Sequence, residues 1–355
     1  MIVLGIETSC DETSAAVVEE TGDPGRPWHI RSNIVASQVA IHREWGGVVP
    51  ELSARQHIRD ICGVVESALD EAGSAKIGAV AVTQGPGLVG SLLVGLQFAK
   101  SFAWTRGVPI VAVHHLAGHI ESLVLHDGEM PLPAVVLVVS GGHTSLYRVA
   151  APGKYELLGR TRDDAAGEAY DKVAKLLHLG YPGGPVIDRL AGEGDDRAVS
   201  FPKMRLTHAD RNAPELPGTR DFSFSGLKTA VMRHVTARRQ TLGLTTADPL
   251  PERETIDISA SFQRVVVETL LDRLFDAAHS YHARSIGIAG GVSANSRLRA
   301  DAAQRGRARD IPVFVPDLAL CTDNAAMIAA AGLRRLRGTG IDPYVEINAE
   351  ASLTL

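Results

Sequence analysis

Two stretches of the chain share one pattern, and that repetition narrows the choice of folds more than any other feature. IVLGIETSCDETSAAVVEE, residues 2–20, and AVVLVVSGGHTSLYRVA, residues 134–150, each run from an apolar strand through a short turn of Gly, Ser, Thr or acidic residues into a second strand. Each opens a stretch in which strands alternate with helices, the signature of an α/β fold. At 355 residues the chain also exceeds what one core usually holds. The expected architecture is a duplicated α/β domain, two lobes with a cleft between them.

The first copy continues with PELSARQHIRDICGVVESALDEAG, residues 50–73, where Ile58, Ile61, Val65 and Leu69 recur at helical spacing. A strand is predicted over 77–85, and LVGSLLVGLQFAKSFAWTRG reads as a buried helix ending at Gly107. In the second copy, helices are predicted near 166–178, 224–239 and 253–283, with a turn at LGYPGGP, residues 179–185. A strand at 285–290 runs into GGVSAN, and a last helix runs from near Thr322 to about Arg337. Residues 201–220 read as polar loop and the tail after Gly338 as irregular.

A net charge of −5 excludes a globally basic nucleic-acid binder, so any RNA contact must use a local patch. Arginines at 297, 299, 305, 307 and 309, and at 334, 335 and 337, are candidates for phosphate contacts; ordinary solvated helix faces are the other reading. Three scattered cysteines, Cys10, Cys62 and Cys321, make no disulfide framework and point to a reducing compartment. MIVLGIETS reads as a strand rather than a leader, and no apolar run approaches the ~20 residues of a membrane span. A cytoplasmic, soluble protein is expected.

Paired glycines recur in VVSGGHT, IAGGVSAN and LGYPGGP, each beside a strand or helix start. Such turns let backbone N–H groups converge on an anion, and a helix N-terminus adds its dipole. Three in one chain favour nucleotide binding, and the arrangement resembles the nucleotide-binding fold of actin and hexokinase. HHLAGH, residues 114–119, adds an H-x-x-x-H. Two side chains four apart on a helix have Cβ atoms about 5–6 Å apart and suit one metal ion. A zinc protease of the H-E-x-x-H type needs a glutamate directly after its first histidine. Leu116 follows His115, and Glu121 comes only after the second histidine, so the proteolytic base is missing. A hard third ligand is available in Asp323 of LCTDNAAM, which as a residue at a helix start also suits a purely capping role.

At these residues the chain closely resembles the tRNA threonylcarbamoyladenosine transferases of the TsaD type, formerly called glycoproteases. The matching strings are LGIETSCDET, GGVVPELSARQH, TQGPGLVGSLLVG, HHLAGH, LVVSGGHTSLY, DDAAGEAYDKVAKLL, YPGGP, DFSFSGLKTA, AGGVSAN and CTDNAAMIA, in family order from residue 4 to about 330. The resemblance implies an actin-like ATPase fold: one lobe of residues 1–133, completed by a C-terminal helix at about 322–345, and a second lobe of residues 134–321. It implies transfer of a threonylcarbamoyl group from threonylcarbamoyl-AMP to the N6 amine of the adenosine 3′ to the anticodon, in tRNAs reading codons that begin with A. It implies one divalent metal, Fe²⁺ in preference to Zn²⁺, on His115, His119 and Asp323. Nucleotide contacts carry over to Val138, Val139, Ser140, Gly141, Gly142, Asp171, Gly184, Asp188 and Asn295, with ATP, ADP or AMP also able to enter the cleft. The implied partners are tRNA, an inactive TsaB-like paralogue and a TsaE-like P-loop ATPase, with the donor made by a TsaC-like enzyme and no membrane involved. Ala117 is a departure, since many members carry an acid at that position of HHLAGH.

These residue types suit acyl transfer from a mixed anhydride to a weakly nucleophilic amine, where positioning and charge stabilisation dominate. Glu12, in the first hairpin turn, and His143, after the glycine pair, are candidate catalytic groups. A surface acid and a buried structural histidine are their plainer readings. Lys228 is a candidate for phosphate or tRNA, or a solvated helix lysine. Rival functions are a small-molecule kinase of the same fold, a metalloprotease and a silent scaffold subunit.

Overall fold

Ile2–Glu7 (β1) is apolar up to its last residue, Glu7, and it pairs on both sides: antiparallel with Glu12–Glu20 (β2) and parallel with Ala79–Gly85 (β4). The computed structural model describes residues 1–204, 206, 220–338 and 346–355. Most of the expected loop over 201–220, the first part of the tail after Gly338 and the end of the helix expected to reach about 345 lie outside the described residues. Two compact units result. One comprises Met1–Leu132, Val149–Tyr155 and Pro316–Leu355, the other Pro133–Arg148 and Glu156–Val315.

The first unit adds Trp28–Ser37 (β3), Val39–Arg43 (α1), Pro50–Ala72 (α2), Val89–Arg106 (α3), Ile110–His114 (β5) and His115–Asp127 (α4). Its sheet order is β3-β2-β1-β4-β5. Proline at the first position of α2 and left-handed Gly107 after α3 mark where those helices begin and end. The buried stripe of α2 is His57, Ile61, Val64, Val65 and Ala68, whereas Ile58 is 64% exposed. The stripe expected through Ile58 is therefore rotated by one residue, because His57 is drawn inward by hydrogen bonds to Thr13 and Cys10.

The second unit contains Ala134–Val139 (β6), the greater part of Thr144–Ala151 (β7) and of Lys154–Arg160 (β8), whose joined ends are counted with the first, then Ala166–Leu176 (α5), Gly183–Ala191 (α6), Ser225–Leu242 (α7), Glu252–Ser280 (α8), Ser285–Ala289 (β9), Ser296–Arg307 (α9) and Val313–Phe314 (β10). Its sheet order, β10-β9-β6-β7-β8, read from the other edge repeats that of the first sheet strand for strand. YPGGP is not wholly a turn: its glycines open α6. Helix α8 carries most of this unit's core, with Phe262, Val265, Val266, Leu270, Leu271 and Leu274 buried against Leu137, Tyr170 and Ile288.

The last helix, Ala325–Gly338 (α10), returns to the first sheet. That sheet has one face of small side chains, Ala16, Ala79 and Ala81 with Val3 and Val111, and α10 lies on it with its run of alanines. The other face carries Leu4, Ile6, Val17, Val80, Val82 and Ile110 and takes α2 and α3. Gly5 makes the close approach possible, since a Cβ there would lie 2.2 Å from the Ala325 carbonyl oxygen and 2.8 Å from the Ala329 nitrogen. Helix α10 is also tied to α4: Arg334 forms a two-pronged pair with buried Glu121 at 2.9 and 3.0 Å, reaches Glu129 at 2.6 Å and lies over the Trp28 ring. No helix among the described residues is long and apolar enough to cross a membrane.

Gly5→Ala should force α10 off the sheet and destabilise the protein by about 1–3 kcal/mol, the usual cost of overpacking, measurable by denaturant titration. An unchanged midpoint would show that the approach of α10 is not tight at Gly5.

Candidate metal centre and glycine turns

Strand β5 ends and α4 begins inside HHLAGH, and the three histidines divide accordingly. His114 is the cap: its Nδ1 accepts from the Leu116 N–H at 3.1 Å while its Nε2–H donates to the Leu353 carbonyl, and burial pushes its pKa down to about 4. His115 and His119 follow one turn apart, with ring centroids 4.7 Å from each other. Gly118 keeps α4 close to α10, for a Cβ there would meet the Ile328 Cδ1 at 2.8 Å.

Asp323 comes to these histidines from just before α10. Its Oδ1 lies 3.4 Å from His115 Nε2 and 3.2 Å from His119 Nε2, and one ligand atom from each of the three residues falls within 4.8 Å of the others. Asp323 does not cap the helix. Asn324 does, accepting from the Met327 N–H at 3.1 Å, and Ser14 and Asn33 from the first sheet accept from the next two N–H groups, of Ala325 and Ala326. With the helix end satisfied by others, the Asp323 carboxylate is left to face the histidines.

Glu7, at the end of β1, stands behind the pair. It is fully buried, receives the Thr83 hydroxyl at 2.6 Å and the Ser9 N–H, and lies 3.0 Å from His115 Nδ1. A carboxylate accepts only, so His115 donates its Nδ1–H to Glu7, which leaves Nε2 as the ring nitrogen that faces Asp323. Burial alone would lower the His115 pKa, but the Asp323 and Glu7 carboxylates hold it well above the usual value. Burial would raise Asp323, yet the two histidines hold it well below the usual carboxylate range.

The donor set fits a divalent cation. Two ligands each ~2.0–2.2 Å from one ion stand roughly 3.0–3.5 Å apart, the spacing of both imidazoles from Asp323. The two His119 ring nitrogens are buried and, among the described residues, accept or donate no hydrogen bond. A protease reading fails on geometry as well as on sequence, since Glu121 is engaged by Arg334 and by the Trp28 N–H at 3.0 Å. Ala117 is buried in the first unit and is not one of the three ligands. Glu12 opens β2, and burial, Asp11 and Asp323 push its carboxyl well above the usual range.

The remaining predicted residues belong to the second unit. Val138 and Val139 end β6 with fully buried side chains, which leaves only their backbone to face a ligand. Ser140 and His143 close the turn on each other: the Ser140 N–H donates to the His143 carbonyl at 2.8 Å, and the His143 N–H donates to the Ser140 hydroxyl at 3.2 Å. The Ser140 N–H is thus engaged, and the donors left for an anion are those of Gly141 and Gly142. Neither of these glycines, nor Gly184, has any atom of the described residues within 4 Å of where a Cβ would stand, so internal packing gives no reason for them. Asp171 accepts from the Gly183 N–H at 2.7 Å, at the start of α6. Asp188, on α6, accepts from the Ser296 N–H and hydroxyl, each at 2.9 Å. Asn295 caps α9 through the Leu298 N–H at 2.9 Å and is buried.

Several basic residues turn out to be engaged within the chain. Lys228 pairs with Asp164 at 2.8 Å. Arg297 pairs with Asp196, Arg305 with Asp272 and Arg337 with Glu20, each at 2.7 Å, and Arg309 lies over the Phe275 ring. Neither arginine cluster stands as an open phosphate-binding row.

Comparison with known proteins gives the following. Residues 29–330 match the family described as TsaD, tRNA N6-adenosine threonylcarbamoyltransferase. A protein of that name from Anaeromyxobacter dehalogenans (strain 2CP-C) is 49% identical over 358 residues, covering 99% of both chains. Another from Moorella thermoacetica is 50% identical over 331 residues, covering 93% of this chain and 90% of the relative. Among solved structures, full-length HypF in its phosphate- and nucleotide-bound form aligns with a TM-score of 0.58 at 12% identity, over 96% of this chain and 56% of that one. HypF of T.kodakarensis aligns at 0.57 and 12%, over 96% and 48%. These two share the fold, the actin-like ATPase architecture that the repeated sheets display.

A buried histidine holds the hairpin turn that carries Glu12. His57 donates from Nε2 to the Cys10 carbonyl at 3.0 Å and accepts at Nδ1 from the Thr13 hydroxyl at 2.7 Å, an arrangement that needs the neutral ring. Burial lowers its pKa, against smaller opposing effects of the Cys10 bond and the acids Glu7, Asp60 and Asp11. As pH falls below about 6.5, the unfolded chain takes up this proton before the folded one does, so stability contributed by His57 drains away on acidification. In denaturant titrations His57→Gln should be less stable at pH 8 and should lose less stability than the parent between pH 6.5 and pH 5. Equal losses in both proteins would remove His57 from the acid response.

Proposed function

The chain belongs to the tRNA N6-adenosine threonylcarbamoyltransferase family, and from that premise we propose how its residues divide the reaction. The enzyme transfers a threonylcarbamoyl group to the N6 amine of an adenosine in tRNA. The donor is threonylcarbamoyl-AMP, and the acceptor is the adenosine 3′ to the anticodon in tRNAs reading codons that begin with A. The amine nitrogen forms a bond to the carbamoyl carbon, the bond from that carbon to the phosphate oxygen breaks, AMP departs, and the amine gives up a proton.

The observation that carries this reading is the convergence of His115, His119 and Asp323, with Glu7 fixing the His115 tautomer, in a chain matched end to end by named family members. His115, His119 and Asp323 would hold a divalent cation, Fe²⁺ in preference to Zn²⁺ for two imidazoles and a carboxylate. Bound there, the cation supplies Lewis acidity toward the donor's oxygens. Glu12, whose carboxylate is made more basic than usual by burial and by Asp11 and Asp323, would take the amine proton in its ionised form and pass it on. In the second unit, Gly141 and Gly142 offer backbone N–H groups to the phosphate, and Gly184 leaves room for close approach. His143 would add a ring nitrogen to the phosphate side. Val138 and Val139 contribute backbone only, and Asp171, Asp188 and Asn295 serve the adenosine. AMP, ADP or ATP would occupy the same contacts. The protein acts in the cytoplasm, with an inactive TsaB-like paralogue and a TsaE-like P-loop ATPase, on donor made by a TsaC-like enzyme.

Reconstitution tests the assignment. With threonine, bicarbonate, ATP, the adenylate-forming enzyme and the partners present, mass spectrometry of tRNA should show threonylcarbamoyladenosine only when this chain is added. Partners that modify tRNA without it, or fail to with it, would overturn the reading. His115→Ala and His119→Ala should lose bound metal by elemental analysis and lower the transfer rate by about 10²–10⁴-fold, as expected when several kcal/mol of charge stabilisation is removed. Glu7→Gln should keep the fold and weaken metal affinity by about 10–100-fold in competitive chelator titrations.

A further inference from the structure

We propose that Gln263, on α8, is a positioning residue for the adenosine part of the donor, acting through Asp188 and Asn295; this rests on the reading above that these two residues serve the adenosine. Gln263 is 2% exposed, flanked by Phe262, Val265 and Val266 in the core of the second unit. A side chain needed only to fill that core would be apolar, because a buried amide gains nothing over a hydrocarbon unless all its hydrogen bonds are made.

Here both ends of the amide are bonded, and in one direction. Gln263 Nε2 donates to Asp188 Oδ1 at 3.0 Å, and Oε1 accepts from Asn295 Nδ2 at 2.8 Å and more distantly from the Tyr170 hydroxyl at 3.4 Å. A carboxylate accepts only, so the amide NH₂ must face Asp188 and the amide oxygen must face Asn295. That in turn points Asn295 Oδ1 at the Leu298 N–H. One buried amide therefore sets the orientation of both groups and joins α5, α6, α8 and the start of α9.

The chemistry of Asp188 identifies what is being positioned. Among the described residues it accepts from neutral donors, the Gln263 amide and the Ser296 N–H and hydroxyl, and forms no ion pair. A carboxylate bonded this way suits further neutral donors, which describes ribose hydroxyls and not phosphate. Loss of Gln263 should then act on recognition of the sugar and leave the chemical step alone.

Calorimetric titration of the full chain with AMP and with 2′,3′-dideoxy-AMP tests this. Gln263→Met should bind AMP about tenfold more weakly, equivalent to one or two hydrogen bonds, while dideoxy-AMP binds both proteins alike. In turnover with threonylcarbamoyl-AMP, KM should rise by a similar factor and kcat change less than about twofold. If Gln263→Met does not fold, Gln263→Asn, which keeps the amide but cannot reach both partners, replaces it with the same expectation. AMP affinity equal to the parent's in the folded variant, or an equal loss for the dideoxy compound, overturns the inference. Asp188→Asn separates the two levels. If it binds AMP normally, the adenosine role of Asp188 is wrong; if it weakens AMP while the Gln263 variant does not, only the role of Gln263 is wrong.

Discussion

The seating of α10 on the small-residue face of the first sheet is the contact from which the metal centre follows. Alanine against alanine, with Gly5 beneath the first turn, lets the helix lie close to β1 and delivers the residue before it to the histidines. Its exposed N–H groups are met by Ser14 and Asn33 of the sheet and by Asn324 of its own chain segment, so the approach leaves no buried donor unmatched in that turn. Glu121 and Arg334 clamp α4 and α10 along their length. Each of these contacts fixes the spacing of Asp323 from His115 and His119 without touching either histidine.

The two units treat charge in opposite ways. In the first, a buried carboxylate, Glu7, and a partly buried one, Asp323, flank one imidazole, a field that a cation satisfies. In the second, Asp188 on α6 is held by neutral donors, the Ser296 N–H and hydroxyl.

Much of this was legible in the sequence, because much of it is local. The strand–turn–strand repeat announced the two sheets, and Gly107 closes α3 where the pattern placed its end. The histidine spacing is a one-turn relation and needs no tertiary knowledge. Glu7 was not legible as a partner: it ends an apolar strand 108 residues before His115, and only the parallel pairing of β1, β4 and β5 brings the two together. Gln263 was hidden in the same way, as one of many polar residues of α8, with its partners on other elements. The arginines show another limit, since composition counts charges and cannot see that Asp196, Asp272 and Glu20 pair with three of them. Ile58 misled by one position, because two hydrogen bonds to His57 outweighed a hydrophobic stripe.

The route of the chain through the two units carries a consequence for synthesis. Residues Pro133–Arg148 and Glu156–Val315 are finished before Pro316–Leu355 exist, while the first unit waits for them. A nascent chain on the ribosome therefore holds His115 and His119 for the whole time the intervening unit is being made, with neither Asp323 nor α10 to complete their surroundings. The first sheet keeps one face bare until the end of translation, and a prematurely terminated product lacks the helix that covers it. A chain that stops before Asp323 cannot assemble the three-residue group.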